Sequence, residues 1–293
     1  MGADRVQTGC GERTGDSNLT INGGTFKSQI AGGMAYTGQK DPLKGQAFLT
    51  GNVNLTISGG SFSSWIYGGC ITSAGYSTKA IIDGSVYITV DASEKEIIFG
   101  DDAHIVAGSY QFGMISGDTC VTLTGKAENL KMDADNLIWG GCSADVYLTK
   151  DGERIFQTMI SGDRIIVFDD FDGEITARIR GFNVMEVVNG SDIEILNNNL
   201  SDIKVWKFDT ESCLSGNFLN DFSGDELNID LSSWDQQEST LIAGSIKGFD
   251  SLSKVTLGTE TAQWNNAVSA YVSNNYQLTF DTENNEMKIS MLA

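Results

Sequence analysis

A repeated block dominates the first half of the chain and restricts the folds that the chain can adopt. Residues 18–33 read NLTINGGTFKSQIAGG, and residues 54–69 read NLTISGGSFSSWIYGG. The blocks share the skeleton N-L-T-I-x-G-G-[ST]-F-x-S-x-I-x-G-G at an offset of 36 residues, a match too long to arise by chance. A fixed period of this length is typical of repeat proteins, in which each unit packs against its neighbours.

Two shorter units extend the repeat to four copies. The first unit is a glycine followed, after three residues, by an aliphatic–Thr–aliphatic triplet; the four glycines are 36, 33 and 33 residues apart. Its copies are Gly15-Leu19-Thr20-Ile21, Gly51-Leu55-Thr56-Ile57, Gly84-Ile88-Thr89-Val90 and Gly117-Val121-Thr122-Leu123. The second unit closes each repeat with an isoleucine and a corner: Ile30–Gly33, Ile66–Gly69, Ile98–Asp101 and Ile138–Gly141. Four repeats therefore occupy roughly residues 15–150.

Each repeat has the pattern of short strands joined at sharp corners. The triplet Leu-Thr-Ile alternates apolar, polar and apolar, which places both aliphatic side chains on one face of a strand. Asn-Gly-Gly and Ser-Gly-Gly mark corners, because glycine adopts positive φ without steric cost and asparagine tolerates it. The chain holds 34 glycines, a content that weakens helices. We therefore expect an all-β protein.

Stacking such units predicts a parallel β-helix, or β-solenoid, with a C-terminal β-rich capping region. Propeller blades need about 40–50 residues with four antiparallel strands, which exceeds this repeat, so a propeller or a stacked sandwich is the alternative. In the favoured fold the aliphatic residues of the triplets share one core, stacked coil on coil. They are Leu19, Ile21, Leu55, Ile57, Ile88, Val90, Val121 and Leu123.

The pattern divides the chain into three regions. Residues 1–14 are expected to be irregular, and residues 15–189 to form the solenoid, with clear repeats to about residue 150 and degenerate coils after it. Residues 190–293 are expected to form C-terminal β-rich coils and a cap, because the last coil exposes backbone that needs covering. Within this region, residues 278–289 predict a β-hairpin around a polar turn.

The repeat resembles a known class of proteins. The motif [LI]-T-[IV]-x-G-G-[ST]-F followed by I-x-G-G resembles the tandem repeats of large secreted or surface β-helix proteins of anaerobic gut bacteria, which are similar to autotransporter passenger domains. This resemblance covers residues 15–150 and implies an adhesin-like or surface-structural protein located outside the cell or on its surface. Glycans or other surface proteins are then the expected partners. Because the N-terminus lacks the apolar run of a signal peptide, we expect a native leader to have been removed.

Charge and composition exclude several functions. The net charge is −20, from 19 basic and 39 acidic residues, which argues against binding to nucleic acid or to anionic membranes. No run approaches the ~18 consecutive apolar residues of a membrane-spanning helix. The single histidine, His104, has no G-x-S-x-G partner motif for a nucleophilic triad. We expect a non-enzymatic protein with no catalytic residue, no cofactor-binding residue and no metal ligand.

An acidic segment supports the main alternative, a carbohydrate-active β-helix enzyme acting as a polysaccharide lyase or hydrolase. Its carboxylates and the nearby arginines are Asp169, Asp170, Asp172, Glu174, Arg164, Arg178 and Arg180. Such carboxylates can hold Ca²⁺, and β-helix polysaccharide lyases pair them with a basic residue. Since strand residues alternate between faces, Asp170 and Asp172 should point together and Asp169 away. A solvated acidic turn, a structural Ca²⁺ site and a catalytic centre all remain open, as does a carbohydrate-binding module without catalysis.

Three further sets of residues have a structural and a functional interpretation. The odd number of cysteines, without C-x-x-C, favours small core residues, and Cys70 and Cys142 are expected to be reduced and buried in equivalent corners. The five are Cys10, Cys70, Cys120, Cys142 and Cys213. N-glycosylation sequons begin at Asn18, Asn54 and Asn199, where strand and corner chemistry is the simpler explanation. Aromatic residues near corners could stack on sugars but more commonly fill cores; they are Trp65, Tyr67, Tyr110 and Trp139.

Overall fold

The computed structural model describes residues 11–33, 35–36, 46–72, 79–109, 113–141, 147–150, 153–156, 160–244 and 246–292. These residues form β-strands and two single 3₁₀ turns, Ala127–Asn129 and Phe249–Ser251. The all-β class expected from the sequence is therefore correct. The described part of the chain contains no helix with the length and hydrophobicity needed to cross a membrane.

The strands of the repeat region are short. In chain order they are β1 Gly11–Thr14, β2 Ser17–Ile21, β3 Thr25–Phe26, β4 Ile30–Ala31, β5 Ala35–Tyr36, β6 Gln46–Thr50, β7 Val53–Ile57, β8 Gly60–Phe62, β9 Ile66–Tyr67, β10 Ile71–Thr72, β11 Lys79–Asp83, β12 Val86–Ala92, β13 Ile97–Phe99, β14 Ile105–Val106, β15 Gly113–Ile115, β16 Thr119–Lys126, β17 Leu130–Lys131, β18 Leu137–Trp139, β19 Tyr147–Lys150 and β20 Glu153–Phe156.

The second half begins with the longest described strand. Its strands are β21 Arg164–Ile175, β22 Arg178–Arg180, β23 Val184–Val188, β24 Asp192–Asn199, β25 Val205–Asp209, β26 Cys213–Leu219, β27 Glu226–Asp230, β28 Ser239–Ala243, β29 Lys254–Leu257, β30 Glu260–Asn265, β31 Ala270–Val272, β32 Tyr276–Asp281 and β33 Glu286–Met291.

Equivalent strands of successive repeats pair in parallel, with equivalent residues side by side. Leu19 lies opposite Leu55, Leu55 opposite Ile88, and Ile88 opposite Val121. The 36-, 33- and 33-residue spacings of the triplets therefore set this register. The predicted common core of the triplets is confirmed: from the second repeat onward all six aliphatic residues are at most 1% exposed, while Leu19 in the first repeat is half-buried.

The prediction of a parallel β-helix, or β-solenoid, with a C-terminal capping region is wrong, because the main sheet closes into a twelve-stranded β-barrel. Strand β21 pairs through Ile165–Asp169 with β23 and through Asp172–Ile175 with β24. From β23 one parallel ladder continues through β25 and β27 to β29, and from β24 a second continues through β26 to β28. The antiparallel strands β30–β33 connect β29 with β28 and so close the barrel. The order around the barrel is β21, β23, β25, β27, β29, β30, β31, β32, β33, β28, β26 and β24.

Two local features cause this closure. A β-bulge lets Asp169 and Asp170 of β21 face the single residue Thr124 of β16, with Asp170 at a φ of 50°; a bulge bends its strand and increases the local twist. Beyond β21 the offset between paired strands falls to 19 residues for Ile165 and Val184. The connection from β21 to β23 keeps one short strand of another sheet, β22, and every described strand from β23 onward belongs to the main sheet.

Glycines allow the corners of successive repeats to touch. A Cβ atom on Gly84 would lie 2.3 Å from the carbonyl oxygen of Gly51, a distance that no side chain permits. The spacing of these glycines in the sequence thus reflects a column of close backbone contacts. One assignment of the repeat is wrong: Ile66 pairs with Ile105, so Ile105–Gly108, and not Ile98–Asp101, closes the third repeat. Ile98 is instead 40% exposed on β13.

Other local predictions have mixed outcomes. The hairpin over residues 278–289 is confirmed, since β32 and β33 are antiparallel with Leu278 opposite Ile289. Burial of Cys70 is confirmed, whereas Cys142 lies outside the described residues. The division at residues 14 and 189 stays a prediction.

Candidate functional site

The outward side of the first four strands of the main sheet carries polar side chains in columns. Because inward positions hold the aliphatic core, the alternate positions face solvent. We call these outward residues the polar face; they are Asn18, Thr20, Asn54, Thr56, Tyr87, Thr89, Cys120 and Thr122. Register places Thr20, Thr56, Thr89 and Thr122 side by side on β2, β7, β12 and β16. With strands about 4.8 Å apart, the four hydroxyl groups form a column about 14 Å long.

The second column of the polar face begins with two asparagines. The side-chain amide of Asn54 donates a hydrogen bond of 2.9 Å to the Asn18 side-chain oxygen. This ladder accounts structurally for the asparagines of two sequons. At Asn199 the side-chain oxygen accepts a 3.0 Å bond from the Ser201 backbone N–H, as in a turn.

Tyr87 continues this column and is the prominent aromatic residue of the polar face. It lies opposite Asn54 on one side and Cys120 on the other, and it is 41% exposed. Cys120 is buried, and its Sγ lies 3.7 Å from the Thr122 Oγ1. Burial raises the pKa of the Cys120 thiol, an effect that the Thr122 hydroxyl partly offsets. Tyr87 is thus an exposed ring between the Asn54 amide and the Cys120 thiol, beside the column of threonine hydroxyls.

Farther along the sheet the outward columns become charged. Val167 of β21 lies opposite Glu186 of β23, and Glu186 lies opposite Lys207 of β25. The Lys207 ammonium donates to the Glu186 carboxylate at 2.6 Å. The outward side of the first four strands is therefore uncharged except near two strand ends, where Asp91 lies on β12 and Lys126 on β16.

A second candidate is a cleft beside the bulge of β21. We call it the acidic cleft; it has a volume of about 540 Å³ and is lined by Lys126, Ala127, Glu128, Asp172, Gly173 and Glu174. Lys126 lies 4.0 Å from Glu128, and both side chains are exposed. Three carboxylates and one ammonium give the lining a negative balance.

The structure rearranges the acidic segment that the sequence singled out. Asp172 and Glu174, two residues apart on β21, line the cleft together. The bulge reverses which residues face outward, because Ile166 and Phe168 are buried before it and Phe171 and Ile175 after it. Asp170 occupies the bulge, and Asp169 accepts a 2.5 Å hydrogen bond from the Asn189 side chain. Within the described residues, no three His, Cys, Asp or Glu side chains lie close enough together to hold a metal ion.

The arginines do not join this cleft. Arg178 on β22 donates to the Asp135 carbonyl oxygen at 2.9 Å, and Arg180 is exposed on the same strand. Arg164, at the start of β21, has a buried Nε without a hydrogen-bond partner in the structure. The cation of the cleft is Lys126, which sequence reasoning missed; the signal was its position three residues after the last triplet residue, Leu123, of the fourth repeat.

The single histidine has a structural role. His104 Nδ1 accepts a hydrogen bond of 3.2 Å from the Leu137 backbone N–H. Its ring meets Trp65 edge-on at a centroid distance of 4.5 Å, and Trp65 stacks on Tyr67 at 5.9 Å. Burial and the charge of Arg178 lower the pKa of His104.

The aromatic residues expected near corners differ in burial. Tyr67 is 1% exposed, while Trp65 and Trp139 are half-buried. Tyr110 lies outside the described residues. Tyr67 thus fills the core, which is the commoner role of such residues, whereas the ring of Tyr87 is exposed to solvent.

The fold and these surfaces define an all-β repeat protein whose main sheet closes into a barrel. Comparison of the chain with models of known protein families, with curated proteins and with solved structures finds no match in any of the three.

Proposed function

We propose that this protein is a non-enzymatic repeat protein that binds a neutral glycan on its polar face. The single observation that carries the proposal is the exposed ring of Tyr87, which continues the asparagine column and lies beside the column of threonine hydroxyls. A tyrosine ring packs against the apolar side of a sugar while its hydroxyl remains hydrated. Hydroxyl and amide side chains both donate and accept hydrogen bonds, as sugar hydroxyls require.

The charge of the chain supports a neutral ligand. A net charge of −20 repels anionic polymers, whereas a neutral polymer experiences no such repulsion. The column of four threonines, about 14 Å long, suits an extended chain of sugars better than a single small molecule. In this proposal the adhesive role expected from the sequence takes the form of glycan binding.

The proposal includes a location on the cell surface or outside the cell. Its support is the resemblance of the repeat to those of secreted and surface repeat proteins. The non-enzymatic character is supported by half-buried His104, whose Nδ1 accepts a hydrogen bond from a backbone N–H.

Affinity electrophoresis tests the proposal. Gels containing a neutral β-glucan, mannan or xylan are compared with gels containing polygalacturonate. We expect retardation by at least one neutral polysaccharide and none by polygalacturonate, and an affinity loss of about tenfold for Tyr87→Ala, equivalent to about 1.4 kcal/mol. The matched control is Ile98→Ala on β13, because Ile98 is 40% exposed and Tyr87 is 41% exposed. Equal effects of the two substitutions, or no retardation in any neutral gel, would contradict the proposal.

A further inference from the structure

The first repeat forms an edge of each sheet that it enters. Strands β1, β2, β3 and β4 each lie at one end of their sheet. Among the described residues, no strand pairs with the outer side of β2. An unpaired edge presents a row of backbone donors and acceptors to any strand that approaches it.

Apolar side chains are partly uncovered at this edge. Phe26 stacks on Phe62 with ring centroids 5.2 Å apart, and it is half-buried, whereas Phe62 is 2% exposed. The same contrast holds at two further positions: Leu19 and Ile30 are half-buried, while Leu55 and Ile66 are at most 1% exposed. Ile21 is buried, as its equivalent Ile57 is. Among the described residues, Phe26, Leu19 and Ile30 thus lack the cover on one side that their equivalents in the next repeat have.

Three of the four edge strands lack the usual protection against association. Natural edge strands are commonly blocked by charged residues, proline or bulges. Strands β2, β3 and β4 contain no charged residue and no proline, whereas β1 carries Glu12 and Arg13. The opposite end of the main sheet, by contrast, is closed by the antiparallel strands β30–β33.

The N-terminal part of the chain, which includes the first repeat, differs from the rest in its net charge. Residues 1–36 contain three acidic and three basic residues, a net charge of 0. Residues 37–293 contain the remaining 36 acidic and 16 basic residues, so they carry the entire net charge of −20. Two copies of so acidic a chain repel each other least when their neutral ends meet.

We propose that the first repeat is a dimer interface, where two copies of this chain pair head to head about a two-fold axis. In this arrangement β2 of one copy pairs antiparallel with β2 of the other, and the apolar side chains of both first repeats cover each other. A two-fold interface is self-complementary, and an uncharged edge of alternating apolar and polar residues meets that condition. The inference stands independently of the proposed glycan binding.

Light scattering coupled to size-exclusion chromatography tests the proposal. We expect the full chain to elute with about twice its 31.5 kDa mass, and the dimer fraction to rise with added salt, because salt screens the repulsion between the acidic bodies. Thr20→Lys places a like charge from each copy at the interface without changing the buried side of β2, and it should give a monomer.

Matched variants keep the test decisive. Thr89→Lys introduces the same change in the same column on the interior strand β12 and should leave the dimer intact. Asn18→Lys, also exposed on β2, repeats the test if Thr20→Lys fails to fold. A monomeric wild-type chain at all protein concentrations would overturn the proposal, as would a dimer that survives both substitutions on β2.

Discussion

The indole N–H of Trp206 donates a hydrogen bond of 3.2 Å to the carboxylate of Asp225, whose side chain is fully buried. The ammonium of Lys204 donates to the other carboxylate oxygen at 3.1 Å. The hydroxyl of Ser253 donates to the Asp225 backbone carbonyl at 3.0 Å. Lys204, Asp225 and Ser253 precede β25, β27 and β29, so one buried residue links the entries of three successive strands.

Replacing Asp225 with alanine should destabilise the fold by about 2–3 kcal/mol. The substitution leaves the buried indole N–H of Trp206 without an acceptor, and an unsatisfied buried donor costs about 1–3 kcal/mol. It also removes the bond to Lys204, whose ammonium can regain water because that side chain is 58% exposed. The free energy of unfolding from urea denaturation measures the effect.

The neighbouring residue supplies the control for this prediction. The Glu226 carboxylate lies 3.5 Å from the Lys254 ammonium, and both side chains are well exposed. Exposed ion pairs contribute about 0.2–1 kcal/mol, so Glu226→Ala should have a small effect. Equal losses for the two alanine variants would show that the buried contacts of Asp225 do not stabilise the barrel.

The phenylalanine stack predicts a graded loss of stability along the repeats. Phe62 stacks between Phe26 and Phe99, with centroid distances of 5.2 and 5.3 Å. Phe62→Ala should cost about 3–5 kcal/mol, the usual range for a buried phenylalanine. Phe26→Ala should cost at most about 2 kcal/mol, because Phe26 is already half-exposed. Thermal or urea denaturation of both variants decides the order, and a larger loss for Phe26→Ala would contradict this packing.

The single histidine provides a pH-dependent measurement without overlapping signals. Burial and the positive charge of Arg178 lower the pKa of His104, while Asp102 and a backbone hydrogen bond raise it in part. A nuclear magnetic resonance titration of the imidazole should therefore give a folded-state pKa below 6.5. Arg178→Ala should raise that pKa, whereas Arg180→Ala, on the same strand, should leave it unchanged.

The stability change follows from the direction of the His104 shift. When the folded-state pKa lies below the unfolded value of 6.5, the unfolded chain binds the proton first as the pH falls. The stability contributed by neutral His104 is therefore fully present above about pH 6.5 and is lost as the pH falls through the folded-state pKa. A titration with a pKa above 6.5 would contradict the bond from the Leu137 N–H to Nδ1.

The register of the repeats could be predicted from the sequence, whereas closure of the barrel could not. The triplets are recognisable because each must place two aliphatic residues in one core, so Leu19, Leu55 and Ile88 align in sequence as they do in space. Closure depends on the bulge at Asp170, a non-glycine residue at a φ of 50° that carries no sequence signal. It also depends on strands in the second half whose spacing drops without a shared motif.

The sequence also did not predict which side chains come together in the candidate sites, because this depends on the bulge and on the register of the strands. Alternation along a regular strand predicted that Asp170 and Asp172 share a side, but the bulge at Asp170 breaks that alternation, and Asp172 lines the acidic cleft with Glu174 and without Asp170. Lys126, the cation of the acidic cleft, lies on the neighbouring strand β16, in the fourth repeat. Tyr87 occupies the same column as Asn18 and Asn54, and its exposure follows only once the register is known.

The acidic cleft should not cleave polyuronates. Glu128, Asp172 and Glu174 repel an anionic polymer, and Lys126 is the single cation of the lining. We expect no unsaturated uronide product from pectate or alginate, with or without Ca²⁺, in an absorbance assay. Sustained product formation that disappears in Lys126→Ala would overturn the non-enzymatic proposal, with Lys131→Ala as the control for a lysine outside the cleft.

Hydroxyl-radical footprinting with the neutral polysaccharide retained most strongly in electrophoresis tests the central claim most directly, because it reports which side chains the ligand covers. The account predicts that added polysaccharide protects Tyr87 from oxidation, while Ile98 on β13 and the peptides containing Lys126–Glu128 and Asp172–Glu174 are unaffected. Protection confined to the acidic cleft, or an unchanged oxidation rate of Tyr87 at saturating polysaccharide, would contradict glycan binding on the polar face.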